Sequence, residues 1–331
     1  MWALKVSLIA LAAMGGEQDK TLDGVWQKAQ ALAVMLQENG QAKGFAMLVD
    51  QRGYFVAHQS ALPKGIITGT SQGKFFDFRV ISSDPRSQLV LLGASNWSSD
   101  AKPLRIAASN PKKGSRLIAV TLEGPFSAEL AADDLTGLQN QTGRYVPFNE
   151  IRIETPSRRL GGAWILNNDG EIVGIIGAAL QSTTNNSQRA PSNSGMMQAK
   201  ADYGPGDLLV TYSLPVDVLT RVVDGFLSAK HQPTHPELGI EFVDAKGTSG
   251  AMVRSIVVGG AAHQGGVQMG DIITAVNGKP TARATQLAAQ LFRLEPGSKV
   301  KLSVNRNGEA KELTVKVGEV VGLKLARLPQ S

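Results

Sequence analysis

There is no cysteine anywhere in the 331 residues, which excludes disulfide staples and a thiolate nucleophile. Basic helices, and basic runs interleaved with aromatics, are also missing. The net charge of +6 therefore reads as solvated surface charge, and no nucleic-acid partner is expected. No apolar run is long enough for a stable membrane span. The nearest is Val6 to Met14, inside Met1–Gly16, with one cation at Lys5 before it and small residues from Ala12 to Gly16. That pattern predicts a secretory signal peptide over 1–16, hence an exported protein, periplasmic or secreted; the competing reading is a buried N-terminal strand or helix. Histidine is scarce too, with four in all. His231 and His235 sit in a Lys230–Pro236 stretch whose two prolines prevent a shared helical face. His263 lies in a glycine-rich turn. No metal and no cofactor are expected.

What is present is glycine, 36 residues, with 15 prolines and 42% apolar residues. This is the composition of a globular, turn-rich chain long enough for two or three cores. Short β-like runs recur at Ala31–Leu36, Phe45–Val49, Tyr54–Ala57, Phe76–Ile81, Leu89–Leu92 and Leu117–Leu122, separated by turn signals such as Glu38-Asn39-Gly40 and Gln51-Arg52-Gly53. Such spacing predicts a barrel or sandwich without long helices in this half. Residues 181–206 are polar and rich in Asn, Ser, Pro and Gly, which predicts a flexible loop. A strand over Asp207–Leu214 follows, then a helix from Val216 to Ala229 with Val218, Leu219, Val222, Val223 and Phe226 at helical spacing.

The chain is organised around Thr155–Ile176. Two apolar runs, Ala163–Leu166 and Ile172–Ile176, flank Asn168-Asp169-Gly170, a strong hairpin signal. Gly161, Gly162, Asp169, Gly170, Glu171, Ile172, Gly174 and Ile175 resemble the nucleophile loop and following hairpin of the trypsin-like HtrA peptidases, worded G-N-S-G-G-P-L and then D-G-E-V-I-G-I. In that resemblance Leu160 stands where the nucleophilic serine belongs. Gly44–Asp50 and Gly53–Val56 are similar to the family's G-F-V-I-D and G-Y-I-V-T-N-x-H-V, so Ser60 falls on the general-base histidine, with His58 two residues early. Asp84–Leu91 resembles D-P-x-x-D-L-A-V-L, which sets Gln88 at the orienting aspartate.

The resemblance implies a peptidase, yet all three triad positions, Ser60, Gln88 and Leu160, are substituted. Leucine has no atom to form an acyl-enzyme, serine is no useful base near neutral pH, and glutamine cannot stabilise an imidazolium. In a working triad, loss of the nucleophile alone costs on the order of a millionfold in turnover. Arg158 replaces the oxyanion-loop glycine and Arg159 the asparagine; the pair reads as solvated loop charge in preference to an anion site. A second reading keeps an active serine endopeptidase of protein quality control with a displaced triad such as His58 with Ser157.

Glu237–Val317 carries the most specific wording in the chain. Leu238-Gly239-Ile240, Gly250–Val253, Gly259–Ala262, Gly265–Val267, Gly270–Gly278, Val300–Val304 and Arg306-Asn307-Gly308 resemble an HtrA-type PDZ domain. A PDZ domain takes a peptide C-terminus as an added strand. By resemblance, Leu238, Gly239 and Ile240 form the carboxylate loop, Ile240, Glu241 and Phe242 the edge strand, and Ala284, Ala288 and Leu291 the groove face of a helix over Thr281–Phe292, with Leu287 in the core. The small alanines predict an apolar last peptide residue and micromolar affinity, about 8 kcal/mol.

The expected fold is mainly β: a trypsin-like double β-barrel domain followed by a PDZ domain of α+β type. The expected limits are 17–229 for the degenerate trypsin-like part, 230–236 for a linker, 237–318 for the PDZ domain and 319–331 for a tail. The expected function is a pseudoprotease that binds peptide or protein C-termini in a regulatory, chaperone-like or scaffold role, self-associating as a trimer by family resemblance. A third reading is a scaffold whose PDZ groove is filled by its own Leu325–Ser331.

Overall fold

The computed structural model describes residues 20–97, 102–139, 144–154, 160, 162–177, 180–182 and 208–321. The expected signal peptide, Arg158, Arg159, Ser157, most of the 181–206 loop and the Leu325–Ser331 tail lie outside these.

Helix α1 (Lys20–Leu32) buries Val25, Ala29 and Leu32, a stripe at spacings of four and three. This corrects the expected strand over Ala31–Leu36: Ala31 and Leu32 finish the helix. β1 (Ala33–Glu38) then begins a closed barrel with β2 (Gln41–Asp50), β3 (Tyr54–His58), β4 (Ile67–Ser71), β5 (Lys74–Asp84) and β6 (Leu89–Ala94), in the order β1-β2-β3-β6-β5-β4. Closure leaves no edge strand.

The second sheet is built from β7 (Arg116–Thr121), β8 (Gly124–Gln139), β9 (Arg144–Glu154), β10 (Trp164–Leu166), β11 (Ile172–Ile175), β12 (Leu180–Ser182) and β13 (Leu208–Ser213). Its order is β11-β10-β7-β8-β9-β13, with β12 also on β8. A single bridge between Ile176 and Ser213, with Leu214 N–H donating to the Ile175 carbonyl at 3.1 Å, draws the two edges together. β8 and β9 were not foreseen. β8 is rich in alanine and acid, poor strand formers that only pairing with neighbours holds extended. Register shifts between Leu130 and Leu135, with Asp134 at φ +55°, make a bulge there. The β10–β11 hairpin forms as expected, its turn tied by Asn167 Oδ1 accepting from the Asp169 and Glu171 amides. Helix α2 (Val216–Leu227) buries Val218, Leu219, Val222, Val223 and Phe226 in a core shared by the first barrel and the second sheet.

The third unit starts with β14 (Thr234–Glu237), then β15 (Ile240–Asp244), β16 (Ala251–Ile256), α3 (Ala261–Gln264), β17 (Ile272–Val276), β18 (Lys279–Pro280), α4 (Ala284–Phe292), β19 (Lys299–Arg306), β20 (Glu309–Lys316) and β21 (Gly318–Val321). The sheet runs β15-β16-β17-β19-β20. β14, part of the expected linker, pairs with β21, read in the sequence as the start of a tail. α4 begins three residues later than expected. Arg283 stays extended, and Gln286 Oε1 and Asp244 Oδ1 accept from the Ala282 and Ala284 amides, capping the start in place of another turn.

Candidate functional site

Two surfaces carry the residues singled out by sequence: a groove on the third unit and a cleft between the first barrel and the second sheet. In the groove, β15 is a terminal strand paired only with β16 among the described residues. Ile240 and Phe242 turn inward onto the core with Ala284 and Leu291 of α4, while Glu241 and Val243 are exposed, the alternation that strand geometry imposes. Leu287 is fully buried and Ala288 half-buried. The loop before β15 is pinned by its carbonyls, Leu238 O accepting from Ala262 N at 2.9 Å and Gly239 O from Val257 N at 2.8 Å. Gly239 has φ +71°, and a Cβ there would come within 3.2 Å of Val257 Cβ. Only glycine fits that turn without strain.

In the cleft, the short helical turn Gln59–Ala61 sets Ser60 beside Gly162. A Cβ on Gly162 (φ +78°) would meet Ala61 Cβ at 3.2 Å, His58 Cβ at 3.4 Å and Ser60 Oγ at 3.8 Å. His58 Nδ1 lies 2.8 Å from Ser60 Oγ and accepts from the Ser60 amide at 3.2 Å, so the ring caps the turn. Gln88, at φ +60°, is buried against the same ring, and its carbonyl accepts from Gln59 N at 2.8 Å. Burial lowers the His58 pKa to about 4, and a hydrogen bond with the Gln88 side chain only partly offsets this. The imidazole is neutral at pH 7.

Leu160 is 5% exposed and packs with Ala163, Ile165, Val173 and Ile176 in the core of the second sheet. Its carbonyl accepts from Ala163 N at 2.9 Å. The position expected to attack a carbonyl thus carries a hydrocarbon side chain folded into the core.

A third arrangement was not foreseen. Asp84 and His235 are both fully buried, with His235 Nε2 2.9 Å from either Asp84 oxygen. Ser87 Oγ donates to Asp84 Oδ2 at 2.6 Å. Burial alone would raise the Asp84 pKa; the His235 hydrogen bond and charge, with two bonds from Ser87, overcome it and hold the carboxyl below its ordinary value. Beside the pair, Arg86 and Glu237 approach to 3.3 Å. Arg221 Nη2 donates to the Phe292 carbonyl at 2.7 Å, and Asp134, lifted by the β8 bulge, meets Lys279 and Arg293. The third unit is thereby held on the other two by hydrogen bonds and ion pairs, of which the Asp84–His235 contact is fully buried. Sequence reasoning placed His235 in a linker because its partner lies 151 positions away.

Residues 236–317 match the model of the PDZ domain family. A probable periplasmic serine endoprotease DegP-like from Pseudomonas fulva is 28% identical over 301 residues, covering 85% of this chain. The chain is homologous to the DegP/HtrA serine proteases. The periplasmic pH-dependent serine endoprotease DegQ of Escherichia coli is 29% identical over 251 residues, covering 74% of this chain and 52% of DegQ. The chain spans little more than half the length of these relatives, 57% of the P. fulva protein. Among solved structures, the HtrA-type protease AlgW with a decapeptide superposes with a TM-score of 0.60 at 17% identity, over 90% of this chain and 98% of that one. The serine endoprotease of Yersinia pestis gives 0.56 at 16%, over 93% and 99%. These establish the expected fold, an HtrA-like trypsin fold followed by a PDZ domain.

Against the HtrA pattern, Ser60 and Gln88 both contact His58, and Ser60 lies beside Gly162, whereas the Leu160 side chain is buried in the core. Ser157, the partner in the displaced triad, is outside the described residues. No cluster of three or more histidine or acidic side chains able to hold a metal occurs among the described residues, and none of their helices is long and apolar enough to cross a membrane.

Proposed function

We propose that this chain is a non-catalytic HtrA-type protein that binds peptide or protein C-termini through its PDZ domain, in a regulatory, chaperone-like or scaffold role. The supporting observation is Leu160: at the nucleophile position stands a buried side chain with no atom able to attack a carbonyl. Ser60 at the base position and Gln88 at the orienting position favour the same reading. We place the pseudoprotease part at 17–229 and the peptide-binding part at 237–318, with Leu238, Gly239 and Ile240 holding the terminal carboxylate, β15 pairing with the peptide through Ile240, Glu241 and Phe242, and Ala284, Ala288 and Leu291 facing its last side chain. Relatives named as periplasmic support a periplasmic setting, and family kinship supports trimeric self-association.

The test is incubation of the purified chain with unfolded casein and a fluorophosphonate probe, beside fluorescence-polarisation titration with free and amidated peptide C-termini. Intact casein, no labelling and binding only of free C-termini are expected. A second reading, a hydrolase with a displaced centre, draws on the 2.8 Å contact between exposed Ser60 and buried His58. Labelling that vanishes in Ser60→Ala would establish it and overturn the first.

A further inference from the structure

The groove offers one charged side chain whose place fixes what the bound terminus must carry. A peptide added to β15 runs antiparallel to it, with its carboxylate at the Leu238–Ile240 loop. Successive side chains of such a strand alternate between faces, and residues directly opposite one another share a face. Ile240 and Phe242 point to the core side, between the sheet and α4. The last and third-last peptide side chains fall on that side. The penultimate side chain falls on the other side, opposite Glu241.

Glu241 is exposed, and its sole hydrogen-bond partner among the described residues is Ser255 of the adjoining strand, whose hydroxyl donates to Oε2 at 2.9 Å. That bond holds the carboxylate on the outer face and leaves it uncompensated, since a hydroxyl brings no charge. Arg254, the extra residue at the bulge between the Glu241–Ser255 and Phe242–Val253 pairs, forms no ion pair with it among the described residues. The next position on the same face, Val243, is 37% exposed and apolar. Asp244 is already engaged, accepting from the Ala284 amide at 2.7 Å. The outer face of the edge thus reads, from the carboxylate loop outward, as anion and then hydrocarbon.

We infer that Glu241 selects termini whose penultimate residue is lysine or arginine, followed by an apolar last residue, and that Val243 accepts an apolar side chain two positions further in. This rests on the terminus-binding reading and names the partner's chemistry within it. Cross-strand pairs of opposite charge stabilise and like pairs destabilise. The attraction is screened by salt.

The test uses the full chain and three fluorescein-labelled hexapeptides ending in valine, identical except for lysine, glutamine or glutamate at the penultimate position, with an amidated copy of each. At about 10 mM salt the lysine peptide is expected to bind about tenfold more tightly than the glutamate peptide, the gap closing near 1 M salt. In Glu241→Gln the three should bind alike, and in Glu241→Lys the order should invert. Free C-termini that bind without regard to penultimate charge, or a preference that survives Glu241→Gln, would overturn this inference and leave the terminus-binding reading standing. Failure of every free C-terminus to bind would overturn both.

Discussion

Acidification from pH 7 to pH 4 should weaken the barrel domain through one side chain, His58. The ring is 2% exposed and its pKa is lowered to about 4, chiefly by burial. In the unfolded chain the same imidazole takes up a proton near its ordinary value of 6.5. Between these two values the unfolded state binds more protons than the folded one, so stability falls as pH falls. From 6.5 to about 4, at 1.36 kcal/mol per pH unit, the loss reaches about 3 kcal/mol by pH 4 and levels off below it. The comparison that isolates it is between the native chain and His58→Gln, because every other titrating group cancels in the difference. The variant loses the cap on the Ser60 turn and starts less stable, but its curve should be flatter by about 3 kcal/mol across this range. Urea unfolding followed by tryptophan fluorescence suits the purpose, since all four tryptophans, Trp2, Trp26, Trp97 and Trp164, precede the PDZ domain. Parallel stability curves for the two proteins between pH 7 and 4 would refute the assignment of a buried neutral imidazole.

On the proposed reading Leu160→Ser places a serine at the nucleophile position, and it should lower stability by about 2–5 kcal/mol by emptying a packed site. It should leave casein uncut, because Ser60 and Gln88 still stand at the base and orienting positions; cleavage assays and urea midpoints read both effects. Asp84→Asn breaks the buried pair and should cost about 3 kcal/mol or more at pH 7. The deficit should shrink below about pH 4, since a carboxylate held below its ordinary pKa gives stability that is lost as pH falls through its folded value. With this tie removed, calorimetry should show the PDZ domain melting as a transition of its own.

The groove was legible in the sequence because its parts lie close along the chain. Leu238-Gly239-Ile240 was picked out by its resemblance to an HtrA-type PDZ loop, and helix spacing put Ala284, Ala288 and Leu291 on one face. The β10–β11 hairpin was legible for the same reason, Asp169-Gly170 fixing a local turn between two apolar runs. The cleft was half legible. The substitutions at Ser60, Gln88 and Leu160 could be read letter by letter, yet that Ser60 and Gln88 share His58, while Leu160 turns into the second core, required the packing of two sheets. β8 escaped because alanine and acid become strand only when neighbouring strands take up their backbone hydrogen bonds; β9, with Tyr145, Val146, Phe148, Ile151 and Ile153, carried strand formers that the sequence reading passed over.

What the sequence by itself determined is which side chains are available: no thiol, a leucine where the HtrA resemblance sets the nucleophile, and a loop worded like a PDZ carboxylate loop ahead of a strand. Tertiary structure alone decided which distant groups meet. Asp84 and His235 stand 151 positions apart, and nothing local distinguishes either from a solvated loop residue. Burial of a charge is tolerable only where a partner is delivered to it, and that delivery depends on how the PDZ domain docks against the barrel.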